Sequence, residues 1–193
     1  FKDAGTFPVG KHFPGHGDTS QDSHLTLPRV ERSKESLEKI ELVPFAQAFQ
    51  EGLDVIMTAH VVYPAWDEDS AATFSNYILN DLLRKKMQFQ GLVMSDDLEM
   101  HAVTQTPEEL PALAINAGVD LFLICHDLDK VTRLQDAMID GIETGKIPHE
   151  TVDHSFNRII KSKEKLTDDE MDLEQILEEN QKLAEEMRSY LTE

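Results

Sequence analysis

A parallel α/β fold is what this sequence predicts, and three observations predict it. Four short runs are almost continuously apolar: TFPVGKHF (Thr6–Phe13), DVIMTAHVV (Asp54–Val62), GLVMSDD (Gly91–Asp97) and DLFLICHD (Asp120–Asp127). Strands covered on both faces of a sheet read this way. The segments between them carry apolar residues at helical spacing, so strand and helix alternate four times, the rhythm of parallel strands joined by crossovers. Finally, each run closes on ionisable side chains: Lys11 and His12, then His60, then Asp96 and Asp97, then His126 and Asp127.

The elements follow in order. After the first strand, Ser33 can cap a helix to about Glu51, with Leu37, Ile40, Phe45 and Phe49 on one side and Gly52 as its stop. The second strand is Asp54–Val62. Ser75 can cap the next helix, through Ile78, Leu82 and Leu83 to about Gln88, before the strand Gly91–Asp97. Thr106-Pro107 opens a third helix that Gly118 ends. Beyond the fourth strand, a helix runs from Leu128 to about Thr144 and Gly145 closes it. After Pro148 the chain reads as helix throughout, with Val152, Phe156, Ile159 and Ile160 at three- and four-residue spacing. Residues 1–166 thus form one α/β unit. Residues 167–193 are a separate acidic helix or tail, whose apolar Leu173, Ile176, Leu177, Leu183 and Leu191 mark an amphipathic surface helix or a partner-binding one.

Composition excludes several functions. With 18 basic residues against 37 acidic ones the net charge is −19, which repels nucleic acid. No apolar run is long enough to span a bilayer. The single cysteine, Cys125, forbids an internal disulfide. The reading requires no cofactor and no metal.

Loading all four strands at the same end is the signature of a ligand site. Both a (β/α)8 barrel of the TIM type and an open doubly wound sheet gather ligands there, so this pattern alone leaves the two open. A barrel has eight strands and roughly 250 residues. Only four strands are visible here, so in a barrel this chain would be the second half, in keeping with its abrupt start at Phe1.

The most unusual stretch is KHFPGHGDTSQDSHLTLP, Lys11–Pro28. Its His12, His16, Asp18, Asp22 and His24 are metal-ligand types, but Pro14 and Gly15 keep His12 and His16 off one helical face. It lacks the glycine spacing and the Lys-Ser/Thr ending of a phosphate loop. Proton transfer is the third reading. Asp22 and His24 lie two apart, so in an extended segment they share a side. The carboxylate can then accept the Nδ1 proton and leave Nε2 to act as acid or base. The same pair would serve equally as a hydrogen bond inside a turn.

This stretch, with SDDLEM (Ser95–Met100) further on, closely resembles the β-N-acetylhexosaminidases of glycoside hydrolase family 3. GLDVIMTAHVVYP (Gly52–Pro64) and AINAGVDLFLI (Ala114–Ile124) are similar to that family too, and the resemblance covers roughly Thr6 to Leu166. It implies a (β/α)8 barrel and retaining hydrolysis of terminal β-linked N-acetylglucosamine, in many bacteria from peptidoglycan (cell-wall) fragments. The partner would be such a saccharide or muropeptide. Asp96 matches the family's nucleophile, Asp22 and His24 its acid/base dyad, and Lys11 and His12 residues that hold sugar hydroxyls. His60 is a further candidate for the sugar site by its strand-end position, with a hydrogen-bonded structural histidine as the alternative. Asp97 is expected to cap the segment after it, and Tyr63 and Trp66 to stack on a sugar or anchor a loop. A neutral base would also let phosphate replace water, so the neighbouring activity is a phosphorylase. The upstream barrel half and its sugar-binding acidic and arginine residues are absent. The expectation is therefore a truncated, weakly active chain that needs the missing half or self-association. A non-catalytic interaction module is the alternative class, and a cytoplasmic recycling role the expected setting.

Overall fold

Each of the four apolar runs contributes one strand to a common sheet. The computed structural model describes residues 5–16 and 27–166, and the acidic tail lies outside them. Strands β1 (Val9–Phe13), β2 (Val55–Thr58), β5 (Leu92–Asp97) and β6 (Leu121–Leu123) are parallel and lie in the order β1-β2-β5-β6. Val9 stands beside Val55, and Val55 beside Leu92, so the strands start level and their carboxyl ends finish at one rim. Gly91 lets β5 begin this close to β2, since a Cβ there would sit 2.1 Å from the Asp54 carbonyl oxygen.

The core lies between the sheet and its helices. Phe13, Ile56, Ile78, Leu79, Leu82, Leu83 and Val93 are essentially sealed from water, each burial contributing about 1.5–3 kcal/mol relative to exposure. Gly118 ends α3 (Leu110–Ala117) with φ +115°, where a side chain would be strained. Helices α4 (Leu128–Glu143) and α5 (His149–Lys163) complete the described chain.

Three elements differ from expectation. The helix capped by Ser33 divides into α1 (Lys34–Lys39) and α2 (Leu42–Gln50). Pro44 has no N–H for the Ile40 carbonyl and its ring crowds that carbonyl, so the helix breaks there. The segment after Ser75 is a π-helix, Tyr77–Lys86, whose wider turns put Ile78, Leu79, Leu82 and Leu83 on the buried side. Ser75 still caps it, its Oγ accepting the Ile78 N–H at 3.2 Å. Last, the run Asp54–Val62 is not one strand. It leaves the sheet after Thr58, turns through Ala59–Val61 and enters a hairpin of β3 (Val62–Tyr63) and β4 (Asp67–Ala71). A 3-10 turn, Ala72–Phe74, follows and packs back against the turned segment.

Candidate active site

The carboxyl ends of the strands bring the polar residues together. At the end of β5, the Asp96 carboxylate is 18% exposed, and its Oδ2 lies 3.4 Å from Nε2 of His12 on β1. Its other oxygen, Oδ1, accepts the N–H of Asp97 at 2.8 Å. One oxygen is thus fixed by backbone and the other faces an imidazole in a partly open space. Burial pushes the His12 pKa down; the Asp96 charge opposes this, and Lys11 and His16 reinforce it. The His12 imidazole is therefore neutral near neutral pH, beside the Asp96 carboxylate. Lys11 stands exposed beside it, and the peptide bonds Lys11–His12 and Phe13–Pro14 are both cis.

Asp97 turns the other way, as strand alternation requires. Its Oδ1 accepts the Glu99 N–H at 3.1 Å, the turn-capping bond expected of it. The thiol of exposed Cys125 has its pKa raised by desolvation against its neighbours and by the carboxylates of Asp97, Glu99 and Asp96, so it is a poor nucleophile.

His60 lies beneath this surface. Expected at the sugar site, it is 1% exposed, with Nδ1 2.8 Å from Thr73 Oγ1 and Nε2 3.1 Å from the Asp97 carbonyl oxygen. Both ring nitrogens are engaged inside the protein. Tyr63 and Trp66 are likewise core residues, 0% and 9% exposed, and the Tyr63 hydroxyl donates to the Gly15 carbonyl.

Sequence reasoning passed over Glu99. Its carboxylate accepts the N–H groups of Cys125 and His126, both at 2.7 Å, and of Asp127 at 2.9 Å, which shapes the loop after β6. Burial alone would raise its pKa, but these bonds more than reverse that. Asp97, Glu99 and His126 do bring ligand atoms within 4.8 Å of one another, yet Glu99 is already committed to three backbone donors. Asp127 caps α4 through the Asp129 and Lys130 N–H groups. Only its position two residues after Asp97 could have pointed to Glu99.

Asp22 and His24 lie outside the described residues. The segment that carries them leaves from His16, whose ring packs edge-on against His12 at 5.7 Å. It returns at Pro28, whose carbonyl accepts the Val62 N–H, while Val30 donates to the Val62 carbonyl. Tyr63 at Gly15 and Val62 at Pro28 thus tie both ends of this segment to β3.

A sequence model of the glycosyl hydrolase family 3 N terminal domain matches residues 1–162. The chain belongs to glycosyl hydrolase family 3. Among its relatives, a beta-hexosaminidase of Alkalilimnicola ehrlichii is 44% identical over 133 residues, 67% of this chain and 38% of that protein. Beta-hexosaminidase A of Pseudoalteromonas piscicida is 34% identical over 186 residues, 86% of this chain and 31% of the relative. The solved family 3 β-N-acetylglucosaminidase of a Paenibacillus species superposes with a TM-score of 0.83 at 40% identity, covering 86% of this chain and 32% of its own. The chain spans about two-fifths of the length of three of the curated relatives it matches, between 38% and 43%. The four parallel strands with their helices correspond to part of the TIM-barrel domain of this family.

Proposed function

We propose that this chain carries the catalytic residues of a retaining β-N-acetylhexosaminidase that removes terminal β-linked N-acetylglucosamine. One observation carries the reading: Asp96 sits at the carboxyl end of β5 with one oxygen held by its own backbone and the other beside the neutral, partly open His12. A nucleophilic carboxylate must be ionised, oriented and reachable. Asp96 is oriented and reachable, whereas the Asp97 carboxylate is tied to the Glu99 N–H.

In the first step an Asp96 oxygen bonds to the anomeric carbon as the glycosidic bond breaks, through an oxocarbenium-like transition state. His24, oriented by Asp22, gives its proton to the departing oxygen. In the second step His24 takes a proton from water, which attacks the same carbon and frees Asp96. Lys11 and His12 hold sugar hydroxyls; a neutral His12 can donate to them without pairing fully with Asp96. The names of the relatives support the sugar, and the family resemblance supports peptidoglycan fragments as its source.

A fluorinated N-acetylglucosaminyl donor that traps the glycosyl-enzyme tests this, with peptide mass spectrometry to locate the adduct. The expected label is on Asp96. A label on Asp97, or none, overturns the assignment. Release of sugar 1-phosphate rather than free sugar in phosphate buffer would replace hydrolysis with phosphorolysis.

A further inference from the structure

His60 is the buried titratable side chain nearest the chemistry, and the mechanism above leaves it without a task. Four observations define its surroundings. Its Nε2 faces the Asp97 carbonyl oxygen at 3.1 Å. A carbonyl only accepts, so Nε2 carries the proton. In the neutral ring Nδ1 is then an acceptor, and the Thr73 hydroxyl, 2.8 Å away, donates to it in preference to the Ala59 carbonyl oxygen at 3.2 Å. Thr73 has one hydroxyl proton, so Thr58 Oγ1, 2.8 Å from Thr73 Oγ1, donates in turn. The ring plane is also held, lying parallel to Phe74 within 7° at 6.2 Å.

The fourth observation concerns the strands. Regular pairing of β2 with β5 covers Val55 to Met57 against Leu92 to Met94 and goes no further. On the other flank the register of β5 with β6 slips between Met94 and Asp97. Asp96 and Asp97 therefore sit where the parallel ladder no longer holds β5 from the β2 side. The chain after Thr58 has turned out of the sheet, and the turn delivers the His60 ring to the place a β2 backbone donor would have occupied.

We propose that His60 is a positioning residue for Asp96: its Nε2–H replaces the lost ladder bond at the Asp97 carbonyl and so fixes the residue whose N–H orients the nucleophile. This rests on the assignment of Asp96 as nucleophile. The Asp97 main chain is then pinned at both ends, its C=O by His60 and its N–H by Asp96 Oδ1 at 2.8 Å. The split of the apolar run Asp54–Val62 acquires a purpose as well: in a continuous strand residue 60 would stand level with Asp97, and its side chain would point off the face of the sheet rather than at that carbonyl.

The test is the rate of covalent trapping by the fluorinated donor in the chain and its variants, with circular dichroism to confirm folding. His60→Leu removes the donor and slows labelling of Asp96 by about 10- to 100-fold, the usual cost of misplacing a reacting group by an ångström or less. His60→Gln, whose amide N–H can reach the Nε2 position, restores most of the rate. Thr73→Val, which frees the ring, falls between them. If the parent chain labels on Asp96 and folded His60→Leu labels equally fast, the inference fails while the function stands. If the parent does not label on Asp96, both fail. Should His60→Leu not fold, the Gln and Val variants read the same rate. Nitrogen-15 NMR of the parent adds a check independent of turnover: an Nε2–H ring supports the inference, and an Nδ1–H ring overturns it.

Discussion

The two ends of this sheet each hold a buried or half-buried aspartate, and the contrast between them separates structure from chemistry. At the amino end, the Asp120 carboxylate is 0% exposed. It takes the Val93 N–H and Arg84 Nη2 on one oxygen and Arg158 Nε and Nη2 on the other, all between 2.8 and 3.0 Å. It joins β5, the π-helix and α5. At the carboxyl end, Asp96 has one backbone N–H and an imidazole 3.4 Å away, and it remains in contact with solvent. A carboxylate whose lone pairs are all taken holds the fold. One left short of partners at a strand end can react. This is the division of labour expected between the two faces of a (β/α) barrel.

The sharpest way to break the contrast is at Asp96. Asp96→Asn should cut turnover and trapping by about 10⁴-fold or more, as loss of a covalent nucleophile does, with the melting temperature unchanged or slightly higher. Residual labelling near the parent rate would move the nucleophile elsewhere.

Asp120→Ala should do the opposite. It leaves Arg84 and Arg158 facing one another without their counter-charge, and breaking a buried pair from one side costs about 3–5 kcal/mol. Burial already pulls the Arg84 pKa down to about 10, with Asp120 opposing and Arg158 adding to the fall, so the guanidinium stays charged and uncompensated at neutral pH. Denaturant melts should show the loss, while the fraction still folded labels normally. A loss below about 1 kcal/mol would place Asp120 among weak surface pairs.

How much of this was legible follows from what kind of signal each residue carries. The four strands were, because a strand covered on both faces must be apolar along its length, and Asp96 was, because a charge at the end of such a run has only the rim to occupy. Asp120 closes the same kind of run at its other end, but nothing local distinguishes a carboxylate that meets two arginines, 36 and 38 residues away, from a solvated one. The same blindness affects His60. Its apolar neighbours read as unbroken strand, whereas the break at Ala59–Val61 is set by partners in the turn Ala72–Phe74 and at Asp97, which periodicity does not see. The split of α1 from α2 was legible in Pro44 and was overridden by the long run of helical spacing.

Between the extremes stands Glu99, close to the active rim yet satisfied like Asp120. Glu99→Gln keeps the shape but turns an acceptor toward the backbone N–H groups into a donor. Amide exchange at Cys125, His126 and Asp127 should speed up by about tenfold, the worth of one charge-assisted hydrogen bond, with β6 itself unaffected. Cys125 should also react faster with a maleimide, since one of the charges that raise its thiol pKa is removed. Unchanged exchange would mean that the loop after β6 is held by other contacts.

The smallest effect is one of pH. Burial is the main cause that lowers the pKa of both His60 and His12 from 6.5, with the Asp96 charge opposing it at each. A histidine whose pKa is lower in the folded state binds its proton more readily when unfolded. Between the two values the unfolded chain therefore holds more protons, and stability rises with pH. The stabilising difference is complete above about pH 6.5 and is lost as pH falls from there through the folded pKa values. Urea melts from pH 8 to pH 5 should show a plateau and then a decline starting near pH 6.5, before the carboxylates titrate. His60→Gln should make that decline shallower without abolishing it, because His12 retains its share. A decline as steep in the variant as in the parent would mean that the His60 ring does not change protonation on unfolding, and the neutral, carbonyl-bound imidazole beneath Asp97 would lose its basis.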